Sequence, residues 1–434
     1  MKKIILFTII ALLVTSCLPK DTQVPQSPLL PLLERKSGMI AYVGADGNMY
    51  VSDQAGRNLS QLTDDAQIAQ ESDVRYYQYP AWSKDASQVA FIGLSAVNDN
   101  SQMDIFIHNL DDETTTEVYS SASEFPIYLN WSPDNTNLSF ISTTATRDNI
   151  ILQSVPSAGG ERTLLDTGTP YYWSWAPDGS VMIVHTGNGQ TTPEHFSFLQ
   201  TDSGITEYRL DIEPASFQAP AWSPDGNLIA LTRLSDQENQ IIVTDSTGSN
   251  PEVIGTFGAK TAFAWSYDST QLAYLDAESS ESDGTIGSLH VHDIESSDEV
   301  VVDKNIISFF WSPNGEKIAY FILIPLTDPS SNNNDNSSDQ QQTQQYGVQL
   351  SVLDVESGES ADLFTYRPTD QFFGILPYFD QYHQSVTIWS PDNNNLVISF
   401  LDQDNNPGIA IVAASGQLEP RLLADGYIAF WSWE

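Results

Sequence analysis

The chain is 434 residues long and carries 57 acidic against 17 basic residues, a formal net charge of -40. That balance excludes nucleic acid and anionic lipid headgroups as partners, since both need clustered Lys and Arg, and it reads as solubility in a salty or acidic exterior. With 40% apolar and 11% aromatic residues, the chain can still bury a large core.

Met1-Lys2-Lys3 is a short basic start, and Ile4 to Val14 is an apolar run. That run suits the core of a signal peptide and is too short to cross a bilayer as a helix. Val14-Thr15-Ser16-Cys17 follows at once and resembles a bacterial lipobox. The resemblance implies cleavage before Cys17 and a diacylglycerol on its thiol. Cys17 is the only cysteine, and a thiol consumed by lipid needs no partner. Leu18 to Lys36, with Pro19, Pro25, Pro28 and Pro31, reads as an extended tether. Leu18, rather than Asp, after the cysteine favours the outer membrane where a cell has two. The expected organisation is a signal peptide over 1–16, a lipidated tether over 17–36 and one folded domain over 37–434.

The folded part repeats one phrase. Ala81-Trp-Ser-Lys-Asp, Asn130-Trp-Ser-Pro-Asp, Ser174-Trp-Ala-Pro-Asp-Gly, Ala221-Trp-Ser-Pro-Asp-Gly, Ala264-Trp-Ser-Tyr-Asp, Phe310-Trp-Ser-Pro-Asn-Gly and Ile388-Trp-Ser-Pro-Asp all head a short apolar run. The Trp residues fall at 82, 131, 175, 222, 265, 311, 389 and 431, with spacings of 42 to 49 and one of 78. Such a period marks a repeat architecture. The low-complexity stretch 326–345 accounts for much of the long interval and is expected to be a disordered insertion.

Each unit resolves into four strands. Trp-Ser closes the first, and Pro-Asp-Gly turns the chain: Pro presets φ, Asp bonds local amides and Gly accepts positive φ. Asn135 and Asn393 are the next-best occupants of the glycine position. Ala86 and Ser269 are poorer, so their turns are expected to be strained or differently built. Second strands are anchored at Ile40, Val89, Leu138, Met182, Ile229, Leu272, Ile318 and Val397, and third strands recur as in Gln240 to Asp245 (QIIVTD). Helical periodicity is nearly absent. Met39 to Val43 reads as a second strand without its first, and Phe430 to Glu434 as a first strand without its second. Joined, they complete one blade, which leaves no open seam. The fold expected is an all-β, eight-bladed propeller closed by its two ends.

The W-S-P-D-G-x-x-I-A-F and I-Y-V-x-D phrases together resemble the WD-like propeller repeats of the TolB group, from Met39 to Glu434. The resemblance implies the fold more than a function. TolB carries an α/β domain ahead of its propeller, for which the short tether leaves no room. No G-x-S-x-G nucleophile elbow is present, which sets aside a prolyl-peptidase reading.

The loops that lead into the first strands are rich in aromatics: Arg75, Tyr76, Tyr77 and Tyr79 before Trp82, Tyr128 before Trp131, and Tyr171, Tyr172 and Trp173 before Trp175. The longest such run holds Phe372, Tyr378, Tyr382 and His383. Tyr and Trp stack on sugars or grip peptides at low entropic cost, so these residues are the candidate ligand-binding set. The second-to-third loops are acidic, and Asp402 and Asp404 are weak candidates for Ca²⁺, although the rest of an EF-hand loop is missing. His290 and His292 alternate on a strand and read as an ordinary exposed face.

The function expected is a monomeric, non-catalytic envelope lipoprotein with no cofactor, whose aromatic loop face binds a protein, peptide or glycan. The alternative is a propeller polysaccharide lyase or hydrolase with a metal at the channel mouth. Oligogalacturonate lyases resemble this propeller and hold a metal on His residues near the channel; only His383 sits in a loop suited to that role.

Overall fold

In the computed structural model, the described residues are 38–68, 73–97, 100–146, 149–187, 192–201, 204–279, 284–326 and 345–434, all within one unit spanning Lys36–Glu434. The signal segment, Cys17, the tether, three acids of the second-to-third loops (Asp99, Glu281 and Asp283) and most of the 326–345 insertion lie outside them.

Strands follow the repeat. β1 (Met39–Gly44), β2 (Met49–Asp53) and β3 (Ser60–Gln61) lie side by side. Four-stranded antiparallel sheets then form in chain order. They are β4 (Asp73–Trp82) with β5 (Gln88–Val97), β6 (Asn100–Asn109) and β7 (Thr114–Ser121), then β8 (Glu124–Trp131) with β9 (Asn137–Thr144), β10 (Ile150–Pro156) and β11 (Thr163–Gly168). Next come β12 (Tyr171–Trp175), β13 (Val181–Thr186), β14 (His195–Gln200) and β15 (Thr206–Arg209), then β16 (Ala221–Trp222), β17 (Leu228–Ser235), β18 (Glu238–Asp245) and β19 (Glu252–Phe257).

β20 (Lys260–Trp265), β21 (Gln271–Ala277) and β22 (Gly287–Asp293) run into the long β23 (Glu299–Trp311). The first half of β23 pairs with β22, and its second half pairs with β24 (Lys317–Leu326). β25 (Gln345–Asp354), β26 (Ser360–Pro368), β27 (Asn395–Leu401), β28 (Pro407–Ala413) and β29 (Arg421–Ala424) continue the same ten-stranded sheet. The last strand, β30 (Gly426–Trp431), pairs with β1 in the register Ile40↔Trp431, so the first and last strands share one sheet. The fold is all-β and propeller-like, and every expected second-strand anchor sits on a strand.

The recurring Trp-Ser-x-Asp phrase has a local cause. In one turn the Ser223 hydroxyl donates to Asp225 Oδ1 at 2.6 Å and accepts the Leu228 N–H at 2.9 Å, while Asp225 also accepts the Asn227 N–H at 3.1 Å. Ser132/Asp134 and Ser266/Asp268 repeat the pattern. Partial burial pushes these aspartates up, but the hydroxyl and amide bonds outweigh it and hold all three below the usual carboxylate range.

The residue in the glycine position has positive φ throughout: Gly226 at 75°, Asn135 at 60°, Asn393 at 62°, Ala86 at 56° and Ser269 at 65°. The non-glycine side chains are used. Asn135, Ser269 and Asn393 accept the N–H of Lys84, Asp225 and Asn314 respectively, in the preceding repeat's turn, at 2.8 to 2.9 Å. Ser269 is therefore compensated, and Ala86 alone carries the strain without a side-chain bond to offset it.

The repeated Trp residues join neighbouring sheets. The indole N–H of Trp131 donates to Ala81 O at 3.0 Å, that of Trp265 to Ala221 O at 3.0 Å, that of Trp311 to Ala264 O at 3.0 Å and that of Trp389 to Phe310 O at 2.9 Å. Each acceptor is the residue just before the preceding repeat's Trp. Trp82 does the same across the chain ends, to Phe430 O at 3.2 Å. Trp222 and Trp431 have no partner for this group. The Trp-bearing strands also neighbour one another from sheet to sheet, and they are the inner strands.

The second-to-third connections include a tight one: Asp236 (φ 51°) and Gln237 (φ 71°) form a two-residue turn between the paired Ser235 and Glu238.

Candidate ligand-binding cavity

An inner strand has a hydrogen-bonding neighbour on one side only, so its other edge presents bare N–H and C=O groups. The segment between β26 and β27 answers several of these edges, and it is the helical part of the described chain. Thr369 caps α1 (Asp370–Ile375), with its side chain accepting from Phe372 N; Pro377 opens a 3-10 turn (Leu376–Tyr378), and α2 (Phe379–Tyr382) follows. Phe372, Ile375, Leu376 and Phe379 are buried on one face. Phe372 packs edge-on against Phe321 and Phe379 against Phe309.

The next residues reach the inner strands. Gln381 Oε1 accepts the Trp173 N–H at 3.0 Å, while its Nε2 donates to Trp173 O at 3.0 Å and to Tyr128 Oη at 3.2 Å. The Tyr128 hydroxyl donates to Gln381 O at 2.8 Å. Asp380 Oδ2 accepts the Ala219 N–H at 2.8 Å, and its Oδ1 accepts the Gln381 N–H at 3.0 Å. His383 Nε2 accepts the Trp311 N–H at 3.4 Å. Gln384 Nε2 donates to Pro220 O at 3.2 Å. Asp380, Gln381, His383 and Gln384 thus bond to the backbone of three inner segments, at Ala219 and Pro220, at Trp173 and at Trp311.

Above this segment, at the starts of the inner strands, lies a cavity of about 710 Å³. Its walls carry Tyr79, Tyr128, Tyr171, Tyr172, Phe217, Tyr378 and Tyr382, with Lys260 and Asp380 as the charged groups. The rings are ordered by one another: Tyr128 meets Tyr382 edge to face at 5.0 Å, and Tyr172 lies 4.6 Å from Phe217. Burial holds the Tyr171, Tyr172 and Tyr382 hydroxyls well above their ordinary range, so all three are neutral donors at physiological pH. Burial also pushes Asp380 up to about 6, against the pull of the two amide bonds. Tyr378 and Phe373 are exposed on the insert.

The sequence-derived set divides. Tyr79, Tyr128, Tyr171, Tyr172, Tyr378 and Tyr382 meet in this cavity. Arg75 pairs with Asp65 at 2.9 Å, and Tyr77 is a core ring between Phe91 and Phe106 whose hydroxyl donates to the same Asp65. Tyr76 is half-buried outside the cavity. Trp173 and Phe372 are fully buried. Phe217, Lys260 and Asp380 were missed; only the insert's spacing of apolar residues at i, i+3, i+4 and i+7 (372, 375, 376, 379) gave a sequence signal for what holds Asp380 in place.

The polar candidates are engaged elsewhere. Burial, with Lys84 nearby, lowers His383 to about 3, and its Nε2 is taken by Trp311 N–H, which does not fit a metal ligand at an open mouth. Asp402 spends its carboxylate on its own loop, accepting the Asp404 and Asn406 N–H groups at 2.8 Å. Among the described residues, no group of three or more His, Cys, Asp and Glu is gathered to hold a metal. His290 bonds Glu299 across the strand at 3.1 Å and stacks on Tyr274. The Ser197 hydroxyl donates to Glu207 at 2.6 Å rather than to His195, so that trio presents no His-activated nucleophile.

Residues 37–263 match the family model of the TolB beta propeller domain. No curated protein matches the chain. Among solved structures, dihydro-heme d1 dehydrogenase NirN, in complex with DHE, is similar at 12% identity over 96% of this chain and 78% of that one, with a TM-score of 0.53. A prolyl endopeptidase is similar at 10% identity over 80% of this chain and 49% of that one, with a TM-score of 0.52, so this chain spans about half its length. TolB from Acinetobacter baumannii is similar at 14% identity over 79% of this chain and 81% of that one, with a TM-score of 0.36. At these identities the likeness is one of fold.

Proposed function

We propose, for a chain that belongs to the TolB beta-propeller domain family, a non-catalytic binding role in the cell envelope, with the tyrosine-walled cavity as the seat of the ligand. The observation that carries this reading is the cavity itself. Its volume of about 710 Å³ lies within the roughly 300–1,000 Å³ typical of ligand sites, and it is walled by rings with a few polar groups. Neutral Tyr hydroxyls beside ring faces suit a sugar ring or an apolar peptide side chain. The ligand is a glycan or a segment of a protein or peptide, held without chemistry.

Around that site we read eight blades, closed by the first and last strands. The eight repeated Trp residues, the β1–β30 pairing and the Trp82 bond to Phe430 O support this count. The chain is further proposed to act as a monomer, tethered by lipid on Cys17 to the outer face of a membrane, the outer membrane where there are two. The binding reading is preferred to the lyase or hydrolase alternative because His383 Nε2 accepts the Trp311 N–H.

Glycan and peptide arrays probed with the full chain test the reading. Binding should weaken at least about tenfold in Tyr172→Ala and Tyr378→Ala, as expected when a stacking ring worth 1–3 kcal/mol is lost. Retained affinity in both variants would place the ligand elsewhere.

A further inference from the structure

The residue two positions after each repeated Trp begins the turn, and five of the eight copies place proline there: Pro133, Pro177, Pro224, Pro313 and Pro391. Three copies depart, with Lys84, Tyr267 and Trp433. Proline presets φ for such a turn, so Lys84 and Tyr267 give up a local advantage, whereas Trp433 follows the last strand and heads no turn. The departures come from three separate repeats, yet their side chains meet. Lys84 Nζ sits 3.4 Å from the centroid of the Trp433 ring. The Tyr267 and Trp433 rings meet edge to face at 5.9 Å, and Tyr267 stacks on His383 at 5.3 Å. The same position in other repeats, Pro133, Pro177 and Pro224, faces the same cavity, so the arrangement of the repeats brings the departures together there.

Lys84, Tyr267 and His383 border a second cavity, of about 250 Å³, at the turn ends of the inner strands. Asp380 borders both cavities, so the helical insert lies between them. Lys84 is the cation in this second cavity, and among the described residues no carboxylate lies within ion-pair distance of it, in a chain with 57 acids. Its ammonium donates to Gln384 O at 3.2 Å and rests on the Trp433 ring face. An ammonium has three donors, which leaves one for a ligand.

We infer that the turn face carries a second binding site, which takes a carboxylate joined to a compact apolar body, with the carboxylate on Lys84 Nζ and the body against Trp131, Trp175 and Trp222. One amine matches a monoanion, whereas a phosphate dianion needs more donors than it offers. At about 30 Å³ per water, the cavity holds roughly eight waters' worth of ligand, the size of a phenyl ring with its acid. Burial lowers Lys84 to about 7, and a bound carboxylate reverses that shift by favouring the charged amine. The other titratable groups on this cavity are His383, neutral because burial lowers it to about 3, Tyr267, whose hydroxyl burial keeps protonated, and Asp380, whose carboxylate accepts two backbone N–H groups. Affinity therefore falls as pH rises above 7.

Calorimetry on the full chain tests this with phenylacetate, phenylacetamide, and N-acetyl-Ala-Phe as the free acid and as the amide. Saturable binding of an acid is expected, weakened at least about tenfold in the matching amide and in Lys84→Met, the scale of one charge-assisted bond. Tighter binding of the peptide acid than of phenylacetate identifies a chain terminus as the ligand; the reverse order identifies a free small acid. NMR of Lys84 Cε in the unsubstituted chain needs no variant, and its titration midpoint should rise on adding phenylacetate. The inference is overturned if neither acid binds at millimolar concentration, if amide and acid bind alike, or if the Lys84 midpoint does not move.

Discussion

Gln381 is the side chain on which the insert's attachment turns. It is 1% exposed, and its carboxamide meets both backbone polar groups of Trp173 as a neighbouring strand's peptide would. Gln381→Leu keeps most of the volume and removes all three side-chain hydrogen bonds. The Trp173 N–H and C=O then lie buried without partners, at about 1–3 kcal/mol each, so the expected loss is about 2–6 kcal/mol. A water admitted into the gap would bring the loss toward the lower figure. Urea denaturation of the full chain measures the total, and amide exchange at Trp173 measures the local part; 2 kcal/mol corresponds to roughly a thirtyfold loss of protection. Gln381→Glu sharpens the test, because a carboxylate still accepts the Trp173 N–H but sets negative charge against its carbonyl. That variant should recover stability as the pH is lowered and the new carboxyl gains a proton. If Gln381→Leu unfolds within about 0.5 kcal/mol of the parent and Trp173 exchange is unchanged, the Gln381 carboxamide does not hold the strand edge.

Three further outcomes are expected. Asp380 is raised by burial to about 6, above its unfolded value of 3.8, so the folded chain binds this proton more tightly than the unfolded chain does. Its contribution therefore favours the fold below the unfolded value and is lost as pH rises through 6; between pH 7 and pH 5 it amounts to about 1–1.5 kcal/mol. Urea midpoints at the two pH values should show this difference in the parent and lose it in Asp380→Asn, while the lowered turn aspartates such as Asp225 act oppositely and only at lower pH. Ala86→Gly relieves a φ of 56° that no side-chain bond offsets and should raise stability by about 0.5–1 kcal/mol, read from the same midpoints. Trp131→Phe loses the bond to Ala81 O, whereas Trp222→Phe has no such bond to lose. The first should therefore cost about 1 kcal/mol more than the second, and equal losses would show that the indole bond contributes nothing.

The blades were legible because their determinants are local and repeated. The Ser-x-Asp turn, the residue at positive φ and the alternating strands each leave a mark on a few adjacent residues, and many copies average out the noise. The pairing of first and last strands was legible for the same reason, as half a repeat at each end. The insert was not. Its burial pattern at 372, 375, 376 and 379 is a helical one, but it occupies a single place and is short, and its bonds run to backbone atoms 72 to 255 residues away. The cavity set was legible in type but not in membership: Tyr128 and Tyr172 reached it, whereas Tyr77 turned into the core between Phe91 and Phe106. Side-chain alternation decides that, and the sequence alone does not say which parity faces inward. The Lys84, Tyr267 and Trp433 cluster was visible as three departures from a repeat but acquires meaning only when they touch.

The insert's anchoring bonds from Asp380, the Gln381 carboxamide and His383 end on Ala219 N, Trp173 N and O and Trp311 N, which are groups that almost any residue at those positions would supply. These anchoring bonds are indifferent to blade side chains, whereas the ring contacts of Phe372 with Phe321 and of Phe379 with Phe309 are not. Blade and insert can diverge separately wherever the bonds alone hold them, and must change together at the ring contacts. A different insert of similar length, carrying an amide and a carboxylate at the same offsets and keeping the two rings, would seat in the unchanged blades and bring its own cavity wall with it. The propeller is in that sense a reusable frame, and the residues from Thr369 to Gln384 are its exchangeable part.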